Sequence, residues 1–207
     1  MSGVECSHMD EPVMKNESSS DAKSQSQRSL VVYTIVALGL ALVIRFFVAA
    51  PYVVSGSSME PNFHDWNYLI VDRLSYQLGE PQRGDVIVLD LPEEPSRALI
   101  KRIIGLPGDT VTLSGVGPSV TITNDKHPEG LKLNEPYLDP ADLGGASDIT
   151  VTLGPDQYYV LGDNRKVSAD SRLWGVLPRK YIVGRVFVRL YPFTAFGILP
   201  GEARYGN

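Results

Sequence analysis

Apolar residues crowd into one uninterrupted block near the N-terminus, Leu30–Val48 (LVVYTIVALGLALVIRFFV), while the stretch before it carries almost none. About 19 residues of helix cover the ~30 Å hydrocarbon core of a bilayer. The block has no polar face, so it does not read as an amphipathic helix resting on a soluble core. Its one charge, Arg45, lies near the C-terminal end, where a long side chain reaches the interface. Pro51 is expected to end the helix. A cleavable secretory segment would be shorter and would not follow so long a polar stretch, so residues 30–50 read as a retained transmembrane anchor. Residues 1–29, rich in Ser, Asp, Glu, Lys and Gln, bury too little surface to offset their ordering entropy and read as a disordered tail. Lys15, Lys23 and Arg28 precede the span, and no Lys or Arg occurs between Val48 and Arg73. The positive-inside bias then keeps the tail in the cytoplasm and places residues 51–207 on the outer side of the cytoplasmic membrane, as a single-pass protein.

Beyond Pro51 the pattern changes to short β-branched and aromatic runs. Tyr68–Val71, Asp85–Leu89, Leu99–Ile104, Thr110–Leu113, Val120–Thr123, Gln157–Leu161 and Tyr181–Leu190 favour strand over helix. Turn chemistry separates them, as in Gly105–Asp109 (GLPGD) and Ser114–Pro118 (SGVGP). No long amphipathic helix and no repeat appears, so residues 51–207 read as mainly β. Leu131–Ser147, with several Pro, Gly and Asp, reads as a surface excursion.

The charge balance narrows the function. A net charge of −5 with no Lys/Arg run argues against a nucleic-acid partner, because phosphates would go unneutralised. The single cysteine, Cys6, permits no internal disulfide. His8, His64 and His127 are far apart without metal-ligand spacing, so neither a metal nor an organic cofactor is implied.

Three segments carry candidate chemistry. Directly after the apolar block, Val54–Pro61 (VSGSSMEP) can present a serine hydroxyl on a tight bend close to the membrane surface. Such a hydroxyl needs a base. Neither His64 nor His127 sits in a Ser-His-Asp pattern, and no GxSxG elbow occurs. Lysine is the alternative. In Leu99–Ile104 (LIKRII), alternation puts Lys101 on one face with Leu99 and Ile103, and Arg102 on the other with Ile100 and Ile104. One cation must enter an apolar face, or both faces are only partly covered. Burial lowers a lysine pKa, which arginine cannot match, making Lys101 the base candidate and Arg102 the structural cation. The strand alone fits equally a lysine with a buried stem and a solvated head. The third segment, Gly162–Arg172 (GDNRKVSADSR), mixes turn formers with Asp170 and Arg172 at ion-pair spacing, and includes Ser168, which could hydrogen-bond the lysine amine.

SGSSMEP (Ser55–Pro61), RGDVIVL (Arg83–Leu89), KRIIGLPGD (Lys101–Asp109) and GDNRKVSADSR (Gly162–Arg172), in this order after an apolar span, resemble the bacterial type I signal peptidase family. The resemblance runs from Leu30 to about Tyr191 and displaces the solvated-head reading of Lys101. It implies a largely antiparallel β catalytic domain with a smaller β insertion. It also implies a serine endopeptidase that removes signal peptides from exported preproteins, with Ser58 as nucleophile and Lys101 as general base. Ser168 would orient the lysine, and Arg102, Asp163, Asp170 and Arg172 would maintain site geometry. Gly56 stands where some members carry a serine that assists the oxyanion hole. Asn62 replaces a frequent Thr, and Lys166-Val167 a common Asp-Asn, which alters the charge of the Ser168 loop. The implied partners are preproteins with small residues before the cut, the lipid bilayer and a nearby export translocase. Two other classes compete: a non-catalytic membrane-tethered β domain that binds exported chains, and a self-cleaving regulator, which would need a DNA-binding helical domain absent from this pattern.

Overall fold

The computed structural model describes residues 18–43, 48–114, 119–144 and 148–205. They fall into two units, Met1–Val43 and Ile44–Asn207. In the first, helix α1 runs Ser18–Val43. It starts inside the stretch read as disordered, whose residues 1–17 lie outside the described part. Once an apolar helix is nucleated, extending it N-terminally through the Ser-rich SSSDAKSQSQRS stretch costs far less than starting a new helix there, because propagation is easier than nucleation. From Leu30 onward its apolar side chains are exposed all round. Among the described residues no helix is long and apolar enough to cross a membrane. The apolar block continues past Val43 into residues 44–47, Arg45 among them, which lie outside the described part.

The second unit is mainly antiparallel β. Its strands are β1 (Ala49–Val53), β2 (Tyr68–Asp72), β3 (Val86–Leu91), β4 (Glu94–Gly105), β5 (Thr110–Ser114), β6 (Ser119–Asn124), β7 (His127–Lys132), β8 (Ile149–Thr152), β9 (Gln157–Leu161), β10 (Leu177–Pro178), β11 (Ile182–Tyr191) and β12 (Gly197–Ile198), with short helices α2 (Ser75–Leu78) and α3 (Ser171–Trp174). The larger sheet has the order β1-β2-β11-β3-β4-β9-β10, with β12 added to β11. All seven expected runs are strands. Pro51, expected to end the helix, lies instead in β1, opposite Ile70. β1 is an edge strand, where a proline can sit with its missing N–H turned away from the ladder.

β3 shows why a continuous apolar run suits the middle of this sheet. Val86 and Val88 face a core with Met59, Phe63, Leu69 and Val71. Ile87 and Leu89 face a second core with Ile103, Tyr158 and Val160. Both faces are covered, so alternation disappears from the sequence.

Between β4 and β9 the chain inserts a four-stranded sheet, β7-β6-β5-β8. Its inward residues Val111, Leu113, Val120 and Ile122 join Ile104, Tyr159 and Leu161 in one core. Of the stretch read as a surface excursion, Leu131 and Lys132 complete β7, and a 3₁₀ turn at Pro140–Asp142 is capped by Asp139; residues 145–147 lie outside the described part. The insertion meets the main sheet at Gly105, where a Cβ would lie 2.5 Å from Val111, 2.7 Å from Leu153 and 3.0 Å from Tyr159. All three neighbours are themselves buried, so none has room to yield. Gly105→Ala is therefore expected to destabilise the domain by about 1–3 kcal/mol, read as a lower midpoint in denaturant unfolding.

Candidate active site

Ser58 is carried by a closed excursion between β1 and β2. Val54 N donates to Asn67 O (2.9 Å) and Trp66 N donates to Val54 O (3.0 Å), pinching the loop at its neck. Met59 and Phe63, fully buried, pin it to the core. Gly56 adopts φ +97, a conformation that favours glycine, and its N–H donates to the Asp65 carboxylate. The Ser58 carbonyl accepts from Asn164 N (3.1 Å), which joins the excursion to the Gly162–Arg172 loop.

Lys101 and Arg102, neighbours in β4, are both buried, at 2% and 0% exposure. Sequence alternation left open which of them enters the interior; both do. They differ in their partners. Arg102 is neutralised: Nε donates to Asp163 Oδ1 (2.8 Å) and Nη2 to Oδ2 (2.6 Å). Nη1 donates to Gly84 O (3.0 Å) and to Gly201 O, and the guanidinium lies 3.9 Å above the Tyr137 ring. Burial alone would lower the Arg102 pKa, but the hydrogen bonds and charge of Asp163 outweigh it and hold the pKa above its ordinary value. Lys101 has no carboxylate among its hydrogen-bond partners. Its Nζ lies 2.7 Å from Ser58 Oγ and 2.8 Å from Ile100 O. Burial pulls its pKa from 10.5 to about 8, against the opposing pull of Asp170 and Asp163. A group with that pKa exchanges its proton near neutral pH, and it is in contact with a hydroxyl.

The remaining expected residues lie around this pair. Asp170 caps α3 through Arg172 N and accepts from Arg172 Nε (2.8 Å) and Nη2 (2.8 Å). It also accepts from Gly162 N (3.0 Å), holding the start of the loop. Ser168 is buried beside Gly162: a Cβ there would stand 2.1 Å from Ser168 Oγ and 2.4 Å from Ser58 O. Ser168 Oγ has no hydrogen-bond partner among the described residues, so the expected bond to Lys101 is not among the contacts. Of the two histidines weighed as bases, His64 is exposed 3.4 Å from Glu60, and His127 lies in β7 of the insertion.

For several residues around the site the sequence indicated no role. Asn62 Nδ2 donates to Asp163 Oδ2 (2.8 Å) and to Tyr137 O (3.0 Å). Arg165 is buried against Glu135, with Nη1 3.2 Å from Oε2, so the segment read as a surface excursion clamps the Gly162–Arg172 loop. Their partners lie tens of residues away, and no local spacing announces them. Arg83 and Asp109 form a 2.9 Å ion pair that ties two of the family-like motifs together.

A buried lysine amine 2.7 Å from a partly buried serine hydroxyl, on an antiparallel β scaffold, is the arrangement that Ser–Lys hydrolase chemistry requires. The sequence model of the family described as signal peptidase, peptidase S26, matches residues 27–191. The chain is 39% identical over 177 residues to a probable signal peptidase I-2 of Synechocystis sp., covering 82% of this chain and 75% of that one. It is 38% identical over 192 residues to signal peptidase I S of Bacillus subtilis, covering 87% and 97%. Against a signal peptidase I of Leptolyngbya laminosa it is 35% identical over 212 residues, covering 96% and 99%. The chain belongs to the S26 signal peptidase family.

Because Arg102 is fully buried, Asp163→Ala leaves an uncompensated charge in the interior. The substitution is expected to cost about 3–5 kcal/mol of folding stability, measured by denaturant unfolding at neutral pH.

Proposed function

We infer that the chain is a signal peptidase: a membrane-bound serine endopeptidase that removes signal peptides from exported preproteins, with Ser58 as nucleophile and Lys101 as general base. The observation that carries the reading is the 2.7 Å separation between Ser58 Oγ and a buried amine whose pKa is near 8. The neutral amine accepts the hydroxyl proton as Oγ attacks the carbonyl carbon of the residue before the cut. The charge that develops on the carbonyl oxygen needs preorganised donors. A backbone N–H near Ser58 fits that role, and the Gly56 N–H is already engaged by Asp65. Protonated Lys101 then supplies the proton to the leaving amine, and the neutral amine activates the water that hydrolyses the acyl-enzyme. Ser168 flanks the pair as a neighbouring hydroxyl, and the ion pairs Arg102–Asp163 and Arg172–Asp170 hold the strand and loop that carry it.

The surroundings fit an extended peptide with small side chains. A cleft of about 110 Å³ opens onto Ser58 and Lys101, walled by Tyr52, Leu69, Val88 and Leu99. β4 pairs with β3 from Glu94 to Arg102 but meets β9 only from Arg102 onward, so its Glu94–Lys101 stretch offers a free edge beside the cleft. An added strand can pair its main chain there while alternate side chains enter the cleft.

The same reading places the protein at the cytoplasmic membrane, near the export translocase. The apolar block forms the anchor, and the positive charges before it keep the N-terminal side in the cytoplasm. A contiguous exposed apolar rim supports contact of the catalytic domain with lipid: Val53, Tyr68 and Tyr191 are aligned across three strands, and Tyr191 meets Phe193 edge-on at 5.7 Å. Trp66, 76% exposed, and Phe193, 83% exposed, are the most prominent of these side chains.

Ser58→Ala and Lys101→Met are each expected to lower cleavage of a reporter preprotein in detergent by a factor on the order of a thousand or more. Either variant cleaving at the wild-type rate would remove the pair from the mechanism. Because the base works as the neutral amine, kcat should fall about tenfold per pH unit below the Lys101 pKa and level off above it. The acidic limb of the pH–rate profile is therefore expected near 8. A limb at 10.5, the ordinary lysine value, would contradict the burial argument.

A further inference from the structure

The family match ends at Tyr191, but residues beyond it reach the site. Leu199 N donates to Phe187 O (2.7 Å), and Leu199 and Gly201, at φ +49 and +72, then turn the chain across the base of the Ser58 excursion. A Cβ on Gly201 would lie 3.0 Å from the Phe63 ring and 3.4 Å from Arg102 Nη2, and the Gly201 carbonyl accepts from Arg102 Nη1. One step further, the Ala203 carbonyl presses so closely on Gly84 that a Cβ there would come within 1.9 Å of its oxygen. Tyr205 closes the strap: its hydroxyl lies 2.7 Å from that of Tyr137, whose ring stacks under Arg102, and it packs against the insertion core.

Arg102 thus has three acceptor residues, the Asp163 carboxylate and the Gly84 and Gly201 carbonyls, and the strap supplies one directly and presses on another. We propose that the strap Leu199–Tyr205 is a positioning element for the Ser58–Lys101 pair, acting through Arg102 and Asp163. The proposal rests on the catalytic reading of that pair. Two routes lead from the strap to the reacting atoms. Arg102 is the backbone neighbour of Lys101. Asp163, held by Arg102, precedes Asn164, whose N–H fixes the Ser58 carbonyl. An Arg102 deprived of the Gly201 carbonyl keeps a buried N–H that must find another acceptor, and its hold on Asp163 changes.

The consequence has a definite sign. The charged groups that act on Lys101 are Asp170 and Asp163, which favour its ammonium form, and Arg97 and Arg172, which oppose it. Loosening Arg102 leaves Asp163 less compensated, so its charge acts more strongly on the amine. The ammonium form gains, and the acidic limb of the rate profile moves to higher pH.

The test uses the full chain in detergent, with a reporter preprotein and four proteins side by side: wild type, Ser58→Ala, Gly84→Ala, which pushes the strap away, and Tyr205→Phe, which removes only its hydroxyl clasp. Gly84→Ala is expected to lower kcat about tenfold or more with KM changed less than about twofold, and to raise the acidic limb by roughly half a pH unit or more. Tyr205→Phe is expected to move both readouts in the same directions by less, and it carries the test alone if Gly84→Ala does not fold. An unchanged kcat, or a lower kcat with an unmoved acidic limb, would overturn the positioning role. A dead Ser58→Ala beside a wild-type-like Gly84→Ala would overturn the strap alone. An active Ser58→Ala would overturn the catalytic reading and the strap with it.

Discussion

Two adjacent cations in one buried strand are the constraint around which this domain is organised. A strand interior cannot hold two charged side chains in a row without treating them differently. Arg102 cannot give up its proton, so it needs a carboxylate, carbonyl acceptors and an aromatic face, and the fold provides Asp163, Gly84, Gly201 and Tyr137. Lys101 can give up its proton, and burial lowers the pH at which it does so. The fall of its pKa from 10.5 to about 8 corresponds to about 3 kcal/mol of disfavoured charge. A carboxylate in direct contact with Nζ would cancel that effect. Asp163 and Asp170 lie close enough to act on the amine, but each is spent on an arginine, Arg102 and Arg172. The ion pairs therefore keep negative charge occupied as much as they stabilise the fold.

Meeting that constraint requires tight packing of loops that lie far apart in the chain. The Ser58 excursion and the Gly162–Arg172 loop approach so closely that Gly162 has no room for a side chain. Gly105, where the insertion joins the main sheet, is confined in the same way. Neither position needs an unusual backbone angle; each needs the absence of a Cβ. The segment before the 3₁₀ turn adds a second buried pair, Glu135–Arg165, so the insertion braces the loop that in turn braces Ser58. Rigidity at the pair is a shared property of the sheet, the insertion and the strap.

The open side of the site is as informative as the closed one. The open edge of β4 and the edge strand β1 border a small cleft, and the exposed rim begins where the end of β1 meets the start of β2, at Val53 and Tyr68. Unpaired sheet edges are usually protected against unwanted pairing. On the proposed reading, an exposed edge beside the Ser58 hydroxyl suits a substrate that arrives as an extended segment. Small cleft volume and free main-chain donors together favour recognition by backbone shape over side-chain identity.

Much of this was legible in the sequence because it depends on local pattern. The seven β-rich runs became strands because alternation and β-branched composition report burial of a pleated surface, and two of the four family-like motifs carry Ser58 and Lys101, whose side chains the fold brings to 2.7 Å. Local pattern failed where a longer-range partner decided the outcome. Pro51 is a strand residue because β2 lies beside it, Ser18–Ser29 is helical as a continuation of the apolar helix, and His127–Lys132 is a strand because β6 templates it. Alternation could not say which cation of Lys101-Arg102 is buried, since that depends on carboxylates about 60 positions away, and hydrogen-bond partners at such separations leave no spacing to read. The sequence by itself determined which chemical groups the protein has available and which segments pair into sheets. Only the tertiary structure decided that the Lys101 pKa is lowered, because desolvation and the pairing of nearby charges are properties of three-dimensional neighbours.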